Sequence, residues 1–158
     1  MIPRIKAVAL DVDGVLTDGT FWWDIGGEEL KRFSFRDVMG IARATRNGMV
    51  FALISGEKNS IVDRYAAKLA ITHVWQGCKD KAVALREFAV VQSLDLSEIC
   101  FMGDDVNDLS AMELAGFTAA PADAHESVIA AVKFVSKRTA GMGAVRELLD
   151  FLMLNNEK

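Results

Sequence analysis

Cysteine and histidine are scarce in this sequence, with two of each among 158 residues. Cys78 and Cys100 lie far apart and make no Cys-x-x-Cys pair, so they read as reduced, buried thiols. His73 and His125 lack metal-ligand spacing. A metal here must be held by carboxylates, which selects Mg²⁺ over Zn²⁺. Long apolar runs are missing as well. None approaches the roughly 20 residues of a membrane span. The opening MIPRIKAVALDVDG meets two carboxylates where a secretory leader would carry small residues. The net charge of −4 and the lack of a basic stripe exclude nucleic acid as the natural partner. A cytoplasmic protein with no membrane or nucleic-acid partner is expected. With only two prolines and no Pro/Gly linker, repeat or low-complexity tract, residues 1–158 read as one domain.

What is present is a core-forming pattern. Hydrophobic residues make up 51%, which excludes disorder. Ile5–Leu10, Met49–Ile54 and Ile99–Met102 are compact apolar runs that read as buried strands, with shorter ones at Thr72–Trp75, Phe117–Ala119 and Phe134–Val135. Helical patterns cover Arg36–Asn47, Ser60–Ala70, Lys79–Ser93, Asn107–Ala115, Ser127–Val132 and Gly143–Leu154. Gly19–Phe35 differs, because Gly26-Gly27 between two β-prone runs predicts a hairpin. Strands alternating with helices predict an α/β, doubly wound, Rossmann-like parallel sheet. Ligands of such sheets bind beyond the carboxyl ends of the strands. Asp11 and Asp13, Ser55, and Asp104 and Asp105 all fall at such ends.

Those positions suggest a chemistry. Asp11 and Asp13, two apart at a strand end, can face one cleft, and Asp104 adds a third carboxylate. Like charges so close raise one another's pKa, and a hard divalent cation relieves the repulsion. Ser55 and the Gly56 amide at a helix start can bind an anion. Lys81 opens a helix and gains meaning only in this context. Asp108, one helical turn past Asp104, can orient either Lys81 or a metal-bound water. Asp105 and Asn107 read equally as site residues and as helix caps.

At this point the chain resembles the haloacid dehalogenase-like phosphatases. Asp11–Thr17 matches their DxDGVxT motif, Ser55 the hydroxyl after the second strand, Lys81 the motif lysine, and GDDVND at 103–108 the last acidic motif. The resemblance implies that Asp11 attacks phosphorus and that Asp13 protonates the leaving oxygen and then activates water. It implies Mg²⁺ on Asp11, Asp104 and the Asp13 backbone carbonyl. Ser55, Gly56 and Lys81 would hold the phosphoryl oxygens, with Asp108 and Asp105 in support. The interval from Gly19 to Ser55 is used up by the hairpin and one helix, leaving no cap domain over the cleft.

Asp18-Gly19, Arg36-Asp37, Pro121-Ala122-Asp123-Ala124 and Gly141–Glu147 resemble the capless sugar-acid phosphatases. That likeness implies a homotetramer in which hairpins join and neighbours cover each active site. It would explain Phe21, Trp22 and Trp23 side by side, since an intersubunit barrel can bury both faces of a strand. Glu57 directly after Ser-Gly, with Lys68, resembles enzymes of 2-keto-3-deoxynononate (KDN) 9-phosphate. Enzymes of 3-deoxy-D-manno-octulosonate (KDO) 8-phosphate resemble a pattern with Arg after Ser-Gly. The nine-carbon substrate is therefore expected ahead of the eight-carbon one, with Glu57, Lys68, Arg64 and Arg146 as substrate contacts. Ala140 and Met142 depart from the family's Gly-Gly-x-Gly loop with its basic x. Two other classes compete: a receiver-like phosphoaspartate domain, which would not need Asp13 or the hairpin, and a non-catalytic oligomerisation domain, which would lose Asp11 or Asp13.

Overall fold

The structure, a computed structural model, describes residues 2–157. Along the chain run β1 (Ala7–Leu10), β2 (Trp22–Trp23), β3 (Glu29–Leu30), α1 (Phe35–Arg46), β4 (Val50–Ile54), α2 (Ser60–Lys68), β5 (His73–Trp75), α3 (Lys81–Gln92), β6 (Ile99–Met102), α4 (Leu109–Met112), β7 (Phe117–Ala120), α5 (Glu126–Ala131), β8 (Phe134–Val135) and α6 (Ala144–Asn156). Six strands form one parallel sheet in the order β5-β4-β1-β6-β7-β8. Strand order reverses at β1, which puts a crevice at the carboxyl ends of β1, β4 and β6.

Both sheet faces are buried, and the period-two alternation sorts side chains between them. Val8, Leu10, Phe51, Leu53, Cys100 and Met102 pack with α1, α2 and α6. Ala7, Ala9, Ala52, Ile54, Ile99 and Phe101 pack with α3, α4 and α5. Phe88 fills the second layer without exposure. Truncating such a phenyl ring to alanine typically costs about 3–5 kcal/mol.

Helix starts are set by side-chain caps. Ser34 accepts from the Arg36 amide, Asn59 from Ile61, and Asp80 from Ala82. Two elements differ from the sequence expectation. The single helix expected over Asn107–Ala115 is a 3₁₀ turn, Val106–Asp108, followed by the short α4. The reason is Asp108, whose carboxylate folds back to the Asp104 and Asp105 amides and tightens the first turn. The hairpin is also shorter than expected. Its strands have two residues each, and an isolated Thr17–Phe33 bridge pins its base. Gly27, at φ +85°, makes its turn. Trp22 and Trp23 are 72% and 69% exposed, so these indoles do not pack on the chain's own core. No helix among the described residues is long and apolar enough to cross a membrane.

Candidate active site

Asp11 follows β1 directly, and its amide extends the ladder to the Met102 carbonyl at 3.0 Å. The chain then turns tightly, with the amides of Val15, Leu16 and Thr17 all donating to the Val12 carbonyl. Gly14 sits in this turn at φ +80°, and a β-carbon there would overlap the Asp104 carboxylate. Only glycine lets the first and last acidic segments close on each other. Gly103 plays the same part for Asp108, whose carboxylate lies against its α-carbon.

The result is a buried charge cluster. Asp11, Asp104 and Asp108 each offer an oxygen within 4.8 Å of the others. Lys81, 2% exposed, places its ammonium 2.8 Å from Asp11 Oδ1 and 2.6 Å from Asp108 Oδ1. The second Asp108 oxygen accepts from the Asp104 amide at 2.9 Å. Asp108 thus orients both Lys81 and the Asp104 backbone. Burial pushes the Asp11 carboxyl well above its usual range, and Asp108 adds to this while Lys81 opposes it. Burial also pushes Asp104 up to about 6, with the Asp108 charge contributing. Burial draws Lys81 down, but the two carboxylates outweigh it and the net shift is upward. Such a cluster is short of positive charge, and its hard oxygen donors suit a cation like Mg²⁺.

Ser55 directly follows β4 and is 1% exposed. Its hydroxyl accepts from the Glu57 amide at 3.2 Å, and its carbonyl accepts from the Cys78 amide at 3.0 Å. A cleft of about 260 Å³ lies over this floor, lined by Asp11, Asp13, Ser55, Gly56, Lys81 and Asp104, with Glu57, Asp105 and Asn107 also on its wall. Eight sequence-expected site residues, Glu57 and Asp105 among them, therefore meet there with Asp108 beneath them. Asp105 is a cap as well, because its carboxylate accepts from the Val106 amide at 2.7 Å.

Asp13 points elsewhere from the cluster. Its carboxylate takes the Lys31 ammonium at 2.9 and 2.8 Å, and the Thr17 hydroxyl donates to it at 3.3 Å. The Asp13 side chain is thus held apart from the Asp11, Asp104 and Asp108 oxygens. Strand-end reasoning missed Lys31 and its partner Glu29, since both belong to the hairpin. Their spacing of two, which places them on one side of an extended strand, was the available signal.

Three expected substrate contacts lie outside the cleft. Arg64 and Lys68 line a separate depression of about 380 Å³ with Lys31, Phe33 and Tyr65. The Lys68 ammonium sits 5.4 Å from the Phe35 ring centre. Glu57 and Lys68 therefore do not meet within one chain, because α2 carries Lys68 away towards the hairpin. Arg146 lines a third depression with Arg36 and Arg138, and its Nε donates to Asp150 at 2.7 Å. Its backbone packs on α1, with its amide donating to buried Asp37 at 2.9 Å. The Ala140–Gly143 loop leans on the Asp11 turn, where the Gly141 amide donates to the Val15 carbonyl at 3.2 Å.

The chain as a whole is similar to known proteins. A family profile described as haloacid dehalogenase-like hydrolase matches residues 74–149. The 3-deoxy-D-manno-octulosonate 8-phosphate phosphatase of Escherichia coli K12 is 38% identical over 155 residues, which are 98% of this chain and 82% of that one. The crystal structure of the Moraxella catarrhalis phosphatase of the same name, holding a magnesium ion, a phosphate ion and a KDO molecule, superposes with a TM-score of 0.95 at 34% identity, over 99% of this chain and 90% of that one. The cobalt-bound Haemophilus influenzae phosphatase superposes with a TM-score of 0.94 at 35% identity, over 98% and 91%. With likeness of this degree across nearly the whole chain, the protein belongs to the haloacid dehalogenase-like hydrolases, in the company of the capless sugar-acid phosphatases, and is a phosphatase.

Proposed function

We propose that the protein is a Mg²⁺-dependent phosphomonoester hydrolase of a phosphorylated 3-deoxy-2-keto sugar acid, with KDO 8-phosphate as substrate. The observation that carries the chemistry is the Asp11–Lys81–Asp108 chain of contacts beside Asp104. The eight-carbon substrate is supported by the names of the relatives, which reverses the order expected from Glu57. Separation of Glu57 from Lys68 also removes the pairing on which the nine-carbon reading rested. Glu57 on the cleft wall is what still favours KDN 9-phosphate as the second reading.

The residues divide the work as follows. Asp11 Oδ1 is held by Lys81 and by the Val12 amide at 2.7 Å, which leaves Oδ2 for phosphorus. A bond forms from Asp11 to phosphorus while the bond from phosphorus to the sugar oxygen breaks, and Asp13 gives that oxygen a proton. Asp13 then takes a proton from water as the water oxygen bonds phosphorus and Asp11 leaves. Ser55, the Gly56 amide and Lys81 hold the phosphoryl oxygens. Asp11, Asp104 and the Asp13 carbonyl would hold Mg²⁺, which when bound neutralises charge on the transferring group.

The exposed hairpin aromatics support a homotetramer whose subunits cover one another's clefts. Turnover of KDO 8-phosphate and KDN 9-phosphate with Mg²⁺ and with EDTA tests the proposal. Faster release from the eight-carbon ester, stopped by EDTA, is expected. Hydrolysis without metal, or of neither ester, rejects it. An eight- to nine-carbon ratio of kcat/KM unchanged by Glu57→Arg would remove Glu57 as a selector.

A further inference from the structure

Lys31 lies just past β3, where a lysine on an exposed hairpin would ordinarily reach into solvent. Here its side chain is 4% exposed. Burying an ammonium is costly unless it is paired. Lys31 is paired twice, with both oxygens of Asp13 at 2.9 and 2.8 Å and with Glu29 Oε1 at 3.1 Å. Glu29 is fixed in turn. Its Oε1 accepts from Asn59 Nδ2 at 2.8 Å, and the Asn59 amide donates to Gln76 Oε1 at 2.8 Å. Asn59 also caps α2. A continuous polar chain thus runs from α2, through the hairpin, to Asp13.

Asp13 needs such a hold. Its side chain is 32% exposed, and its other side-chain contact is the long one from Thr17 at 3.3 Å. A carboxylate on two parallel ammonium contacts loses the rotamer freedom it would have at a cleft mouth. We infer that Lys31, anchored by Glu29, is the positioning residue for Asp13, fixing the proton-transferring carboxylate relative to the substrate's leaving oxygen. The inference rests on the reading of Asp13 as acid and base. It makes the hairpin part of the catalytic apparatus and not simply a cover.

The leaving group provides the test. An alkyl phosphate needs a proton delivered to its leaving oxygen, whereas p-nitrophenyl phosphate expels a stable phenolate. Single-turnover release of KDO from KDO 8-phosphate and of p-nitrophenol from its phosphate is measured for wild type, Lys31→Met, Lys31→Arg and Asp13→Asn. Lys31→Met is expected to slow the alkyl ester about 10- to 100-fold and the aryl ester less than about threefold, as misplacement of one group would. Lys31→Arg recovers most of the alkyl rate, since the neighbouring 380 Å³ depression has room for a guanidinium. An equal fall for both esters, no change, or an acceleration in Lys31→Met overturns the inference. If Asp13→Asn is slow and Lys31→Met is unchanged, only the Lys31 inference fails. If Asp13→Asn keeps its alkyl rate, the reading of Asp13 fails and the inference with it.

Discussion

The ammonium of Lys81 and the carboxylate of Asp108 meet at 2.6 Å with neither side chain more than 2% exposed. Removing Asp108 leaves the buried Lys81 ammonium with Asp11 as its remaining partner at 2.8 Å and takes the acceptor from the Asp104 and Asp105 amides. Asp108→Ala is therefore expected to cost about 1–3 kcal/mol of stability, as lost buried hydrogen bonds do. Urea unfolding measures it, and a loss under about 1 kcal/mol would mean that the pair is not the support described.

Asp11→Asn is expected to remove phosphate release, because an amide cannot take the phosphoryl group. Asp13→Asn should lower it about 10²- to 10⁴-fold on the natural ester. Both side chains lie at the cleft, so circular dichroism and the unfolding midpoint should stay near wild type. Activity within a few-fold of wild type in either variant contradicts the mechanism.

Metal affinity should depend on pH. Asp104 sits up at about 6, chiefly through burial. Below that pH its carboxyl carries a proton that Mg²⁺ must displace, and above it the carboxylate is already free. Burial pushes Asp11, in the same set, well above its usual range too, so half-saturating Mg²⁺ should fall as pH rises and climb roughly tenfold or more per pH unit below about 6. A level profile from pH 5 to 8 would remove Asp104 from the metal set.

Gly14→Ala tests the closeness of the two acidic segments. The added methyl would overlap the Asp104 carboxylate and strain a backbone at φ +80°. A cost of about 1–3 kcal/mol is expected, together with weaker Mg²⁺ binding. Wild-type behaviour in unfolding and metal titration would show that the approach is not needed.

Trp22 and Trp23 test assembly. Replacing both by serine should leave the sheet intact, because neither contacts the core. Light scattering on size-exclusion eluate should show dissociation, with reduced kcat/KM on the sugar-acid ester. A monomeric wild type would reject the tetramer.

The sheet was legible because period-two alternation and strand-end polarity are local signals. β1, β4 and β6 could be read from the apolar runs Ile5–Leu10, Met49–Ile54 and Ile99–Met102, and with them the positions of Asp11, Ser55 and Asp104. Lys81 was readable only through motif order, since a lone lysine looks like any surface charge. What stayed hidden depended on contacts remote in sequence. Asp108 could not be seen folding back on its own helix start, and Lys31 could not be seen reaching Asp13 from eighteen residues away. Arg146 lies away from its own chain's cleft, with its backbone committed to α1 through Asp37, a helix–helix docking that no single segment reveals.

The floor of the cleft holds three carboxylates and one ammonium, while at its rim Asp13 and Glu29 share the one ammonium of Lys31. A phosphate dianion approaching that floor meets two uncompensated negative charges. A divalent cation cancels them. Ligand addition therefore has an order: the cation enters first and the ester second, and the product phosphate can depart while the cation stays. Ester on the loaded site holds the cation there, so a chelator should raise the apparent KM for the ester and be overcome by saturating ester.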